Sequence, residues 1–198
     1  MYGIDLVLPV YRYVIENQDK LRGIVITHGH MDHIAALPYL LRHVQAPIYG
    51  TPLTLGLIER QLREKNVLER AELIPMTQGQ PVQLGAFRVT PFAVAHSIPD
   101  SVGFVIDTPV GTVVHTGDYK LDETPAGGYK TDFDMLRALT PNGVLAMVAD
   151  STNADRPGRT PTERLVADTL DRLLADAGDQ RVIIATFSSL LARLQRSC

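Results

Sequence analysis

Short apolar runs alternate with stretches of helical period along this chain. Ile24, Val25 and Ile26 form a β-branched run that predicts a buried strand over 23–27, and Gly29 marks the turn leaving it. Ile34, Leu37, Leu40 and Leu41 then recur at helical spacing and predict a helix over 34–43. Residues 47–50 read as a short strand. Thr51-Pro52 reads as an N-cap with proline at the first helical position. The helix that follows turns Leu53, Leu57, Ile58 and Leu62 inward, and Glu59, Arg60, Arg63, Glu64 and Lys65 form its solvated face. Residues 1–20 read as a connector in which Pro9 breaks any regular element.

Beyond Pro81 the period shortens to that of strands. Residues 87–90 alternate, and 92–95 continue as far as His96. Residues 102–108 and 112–115 pair through the turn Pro109-Val110-Gly111. Residues 144–148 predict an apolar strand ending at Asp150. Thr160-Pro161-Thr162-Glu163 reads as a capping box, with Leu165, Val166, Thr169, Leu170, Leu173 and Leu174 behind it as a helix face. Gly178 closes that helix, residues 181–186 predict another buried strand, and Ser188 caps the start of a last helix. There is no internal repeat. Strands alternating with helices predict an α/β fold whose sheet edges present the loops of a site.

The chemistry concentrates in Thr27-His28-Gly29-His30-Met31-Asp32-His33, on the predicted strand-to-helix loop. Imidazole nitrogen suits zinc and its first-row neighbours, and a carboxylate adds charge. His28 and His30 alternate in an extended loop and can face one ion, while Asp32 and His33 can serve a second nearby. A lone histidine would favour a solvated loop; four metal-capable residues at H-x-H-x-D-H spacing do not. Two further strands end in such residues, at His96 and Asp118. His96 completes the first set, and Asp118, freed by Gly117, can bridge two ions held roughly 3.5–4 Å apart. His115 lies within its strand and reads as a packed or hydrogen-bonded histidine, and His43 as a helix-end cation; neither joins the metal set.

Composition narrows the setting. The 198 residues suffice for a real core, and a net charge of −3 carries no basic tail. The one cysteine, Cys198, excludes a disulfide framework and a cysteine zinc site, which suits a reducing, cytoplasmic location. No run of about eighteen apolar residues predicts a membrane span, and the N-terminus has no signal-peptide pattern.

H-x-H-x-D-H with a strand-end histidine and a strand-end aspartate resembles the metallo-β-lactamase superfamily of binuclear hydrolases. The surrounding words narrow the likeness: Thr-His-Gly-His-Met-Asp-His-Ile-Ala-Ala-Leu-Pro-Tyr-Leu-Leu, Pro-Ile-Tyr-Gly-Thr, His96-Ser-Ile-Pro-Asp, His115-Thr-Gly-Asp-Tyr-Lys, Asp150-Ser-Thr-Asn and Ala185-Thr-Phe-Ser-Ser. In that order they resemble the ribonuclease J family of the β-CASP group, from about Gly3 to Gln195. The resemblance implies an incomplete metallo-β-lactamase-type αββα sandwich over residues 1–150 and the beginning of a β-CASP domain over 151–198. It implies two divalent ions, zinc first and manganese also accepted, with His28, His30 and His96 on one, Asp32 and His33 on the other, and Asp118 bridging. Asp150 matches the acidic residue of the first β-CASP motif; read from the residues alone, it suits an N-cap or turn equally well.

The implied activity is hydrolysis of RNA phosphodiesters, 5′→3′ and internally, by a two-metal-activated hydroxide that Asp32 or Asp118 orients. Asp32, Asp118 and Asp150 are thus the catalytic candidates, RNA the expected partner, and self-association of the full-length protein the expected assembly. Met31 stands where the family usually has Glu, and Ala35 where it has Gly. Neither is a ligand position. The family carries further N-terminal strands, and its last histidine ligand, its β-CASP histidines and its general acid lie after the region matching Gln195. The chain therefore reads as an internal fragment, weakly active or inactive by itself. A lactone or thioester hydrolase of the same superfamily is the rival; the Ile98-Pro99-Asp100 and Asp150-Ser151-Thr152-Asn153 words argue against it.

Overall fold

The computed structural model describes residues 3–4, 6–125, 129–187, 190 and 194. The chain divides into two compact units, Met1–Met76 and Thr77–Cys198, each with its own sheet.

In the first unit, β1 (Ile24–Val25), β2 (Ile48–Gly50) and β3 (Leu73–Pro75) form a parallel sheet in that order. Parallel neighbours need crossovers, and helices supply them. Between β1 and β2 run α2 (Met31–Ile34) and α3 (Leu37–Leu40); between β2 and β3 runs α4 (Pro52–Glu64). The connector also contains a short helix, α1 (Arg12–Glu16), and a 3₁₀ turn at Gln18–Lys20. Ile26, Ile34, Leu37, Leu41, Ile48, Leu55, Ile58, Leu62 and Val67 form the core.

Several sequence expectations need correction in this unit. The strand expected over 23–27 pairs only at Ile24–Val25. The helix expected over 34–43 is two short pieces, because Pro38 has no N–H to donate and belongs in a first turn, so a new helix starts beside it. In α4, Thr54, Leu55, Ile58 and Leu62 are buried, while Leu53 and Leu57 are half-buried. Thr51 is the N-cap residue and Pro52 opens the helix, but the Thr51 hydroxyl donates to Thr54 Oγ1 at 3.0 Å instead of capping a backbone N–H.

The end of α4 shows why the chain stops there. Asn66 adopts φ 54°, the Val67 N–H donates to the Leu62 carbonyl at 2.9 Å, and the Asn66 N–H donates to the Arg63 carbonyl at 3.1 Å. That pair of bonds is a Schellman closure with asparagine in the left-handed position, and Val67 and Leu62 both enter the core beside it.

The second unit is a five-stranded sheet: β4 (Val82–Leu84), β5 (Phe87–Ala93), β6 (Val102–Thr108), β7 (Gly111–His115) and β8 (Ala146–Val148), in that order. The first four are antiparallel, and β8 runs parallel to β7. The β6–β7 hairpin turns where expected, and the Thr108 hydroxyl braces it by donating to the Gly111 carbonyl at 2.7 Å. Phe92, Val94, Val105 and Val114 form the core, with Met135, Leu136 and Leu139 of α5 (Phe133–Leu139) packed on it. The apolar strand expected over 144–148 is shorter and exposed, since β8 pairs with β7 alone.

Helix α6 (Glu163–Ala177) begins later than the capping box predicted, with Thr162 as N-cap and Pro161 outside. Ala167 is its one buried residue among those described; Val166, Leu170 and Leu174 are half-buried, and Leu165 and Leu173 are exposed. Gly178 ends it at φ 51°. The expected strand at 181–186 does not form: those residues pair with no strand among the described residues and are exposed. The helix start expected at Ser188 lies outside the described residues. The α/β class stands, with two sheets and helices on the crossovers.

Candidate metal centre

The first donor group is built by a strand end. β1 delivers Thr27 and His28 into the interior, and His28 is 0% exposed. His28 Nδ1 lies 3.0 Å from Thr27 Oγ1. A partner on one ring nitrogen orients the ring, the arrangement seen behind metal-bound histidines. The chain then stays extended to His30, the N-cap residue of α2, at φ −71° and ψ 149°.

One turn of helix brings His33 back. The His28 ring is 4.1 Å from the His33 ring and 4.8 Å from the His30 ring, so His28 is the centre of three imidazoles. The sequence reading separated His33 from His28; the single turn of α2 brings them into contact. Asp32 lies in the first turn of α2 with its side chain 77% exposed, and its Oδ2 is 3.6 Å from His33 Nε2. Met31, in the Glu position, meets Gln61 of α4, whose Nε2 donates to its sulfur at 2.7 Å.

The second donor group lies in the second unit. His96 follows β5, Asp118 follows β7, and His96 Nε2 is 3.9 Å from Asp118 Oδ2. Gly117 turns the chain at φ 61°, a conformation that suits glycine. Its N–H donates to His115 Nδ1 at 3.0 Å, so His115 braces the turn as a half-buried, hydrogen-bonded strand residue.

Asp150 follows β8 and is tied to the same turn. Its N–H donates to the buried Thr116 hydroxyl at 3.0 Å, while its Oδ1 accepts from the Thr152 N–H at 2.8 Å. Burial alone would raise the Asp150 pKa. The Thr152 N–H and hydroxyl, the Tyr119 N–H and the neighbouring His96 outweigh burial and hold it below the usual carboxylate range. An ionised carboxylate anchored to Tyr119 thus steadies the segment carrying Asp118.

Each group consists of imidazole and carboxylate donors, a chemistry that suits a divalent ion. Thr27, Thr116 and the Tyr119 N–H could not be found from the sequence, because ordinary hydroxyls and amides carry no motif of their own. No helix among the described residues is long and apolar enough to cross a membrane.

The chain is similar to several known proteins. Residues 5–142 match the beta-lactamase superfamily domain. A protein named Ribonuclease J from Thermus thermophilus is 43% identical over 98% of this chain, and the match spans 35% of that protein. Another Ribonuclease J, from Sinorhizobium meliloti, is 44% identical over 98% of this chain and 34% of its own length. The chain thus spans about a third of these relatives. A crystal structure of a protein of unknown function from Enterococcus faecalis V583 superposes with a TM-score of 0.64 at 17% identity, covering 88% of this chain and 43% of that one. With its strand-end histidines and aspartates and a family match over most of its length, this chain belongs to the beta-lactamase superfamily.

Proposed function

We propose that this chain carries the metal-binding core of a ribonuclease of the ribonuclease J type. The observation that carries the reading is the chain-long likeness to proteins of that name. The donor chemistry supports it. In this reading two divalent ions, zinc or manganese, are held by His28, His30 and His96 on one side and by Asp32 and His33 on the other, with Asp118 shared between them.

When bound, such ions acidify water and neutralise charge building on a phosphodiester. The chain's own residues do the rest. Thr27 orients His28. Asp150, held ionised, anchors the Tyr119 N–H and so the turn that presents Asp118. Asp32 and Asp118 are the carboxylates we assign to orienting the attacking water, with the general acid supplied by another part of the longer protein. RNA as substrate, cleavage from the 5′ end and internally, a cytoplasmic location and self-association of the full-length protein belong to the same reading. So does a boundary near residue 150 between a metallo-β-lactamase domain and a β-CASP domain, which the family match over residues 5–142 supports.

Incubation with single-stranded RNA, a lactone and an acyl thioester, each with Zn²⁺ or Mn²⁺, tests the reading. Cleavage of RNA that His30→Ala abolishes is the expected result for the full-length protein. Turnover of the lactone or thioester without RNA cleavage overturns it in favour of another superfamily hydrolase.

A further inference from the structure

Four residues after Asp118, Asp122 is buried at 8% exposure. Its Oδ2 accepts from the Glu163 N–H at 2.8 Å, the first residue of α6, and its Oδ1 accepts from the Thr124 N–H at 3.0 Å. An aspartate forty-one positions upstream therefore takes up the N–H of the first helical residue, beside the local cap in which the Thr162 hydroxyl accepts from the Arg164 N–H at 3.3 Å.

Lys120 completes a clasp. Its Nζ lies 3.5 Å from Asp122 Oδ2 and 3.3 Å from Glu163 Oε1, and it donates to the Pro161 carbonyl at 2.8 Å. The Thr162 hydroxyl donates to the Thr124 carbonyl at 2.9 Å on the other side. The same Lys120 donates its backbone N–H to the Ala95 carbonyl at 2.7 Å, one residue before His96. The stretch 118–122 is therefore pinned at one end to the segment presenting His96 and at the other to the start of α6.

We propose that the Lys120–Asp122–Glu163 clasp is a positioning device that uses the N-terminus of α6 to hold Asp118 and His96 in register. The proposal rests on the reading of Asp118 and His96 as metal ligands. Asp122 and Lys120 act on that set through the backbone between Asp118 and Asp122 and through the Ala95 carbonyl. A clasp of this kind concerns affinity for metal, and a residue that merely stabilised α6 would not alter it.

The test titrates Zn²⁺ and Mn²⁺ into the 198-residue chain and its Asp122→Asn and Lys120→Met variants, with hydrogen exchange at the Lys120 amide followed in parallel. Lys120→Met keeps the backbone bond to Ala95 and guards against a variant that fails to fold. The expected result is metal affinity roughly tenfold weaker in both variants, the low end for residues behind the ligands, with faster exchange at Lys120. A Lys120→Arg variant, which keeps the charge and the donors, recovers most of the affinity. Unchanged affinity in folded variants overturns the clasp while leaving the metal site standing. An unaltered chain that binds no metal overturns the site reading, and the clasp falls with it.

Discussion

Gly103 of β6 sits directly opposite Phe92 of β5, and a Cβ built on it would lie 2.5 Å from Phe92 Cζ and 2.9 Å from the His115 carbonyl oxygen. The ring lies over the glycine, and Phe92 is 1% exposed at the centre of the second unit's core. Adding even a methyl group drives into an aromatic ring on one side and backbone on the other. Gly103→Ala is expected to cost about 1–3 kcal/mol, the usual penalty for overpacking. Urea denaturation checks this, and pairing the change with Phe92→Leu is expected to recover part of the loss.

The Asn66 closure of α4 gives a second prediction. Its φ of 54° is tolerated by asparagine and free for glycine, but strained for a β-branched residue. Asn66→Gly is expected to leave stability nearly unchanged, whereas Asn66→Val loses about 1–2 kcal/mol. Thermal melts of the two variants distinguish them.

Thr27 gives a third. Its hydroxyl partners His28 Nδ1, so Thr27→Val removes the group that orients the ring without changing side-chain shape. Metal affinity is expected to fall about 10–100-fold, with Thr27→Ser close to the unaltered chain. Calorimetric titration with Zn²⁺ reads the difference.

Acid stability follows from Asp122. Burial alone would raise its pKa; the N–H of Glu163, the hydroxyl of Thr162, the N–H of Thr124 and the charge of Lys120 outweigh burial and lower it. A folded pKa below the unfolded one contributes stability that is fully present above the unfolded value, about pH 4. That contribution is lost as pH falls from there through the folded value. Glu163 and Lys120 face the same carboxylate, so the comparison needs Asp122→Asn in the same background. Urea midpoints measured from pH 6 down to pH 3 are expected to fall less steeply in the variant.

What could be read in the sequence was whatever depends on short range. The donors at H-x-H-x-D-H spacing, the helix opening at Pro52, the hairpin through Pro109-Val110-Gly111 and the stop at Gly178 are local and were legible. Residues 181–186 have the composition of a buried strand, but a strand exists only with a partner, and no described strand pairs there. The start of α6 was misplaced because Thr160 and Thr162 both suit an N-cap; Thr162 takes the role, and the next N–H goes to Asp122, far away in sequence. The contact of His28 with His33 depended on where α2 begins, and helix ends are set by capping that spacing does not encode.

The most direct test of the metal reading is metal content per folded chain after exposure to Zn²⁺ or Mn²⁺ and dialysis, for the unaltered protein and for His28→Ala. His28 is one of the three histidines proposed for the first ion, so two equivalents are expected in the unaltered chain and at least one fewer in the variant. Equal metal in the two, or none in a folded unaltered chain, would contradict the account.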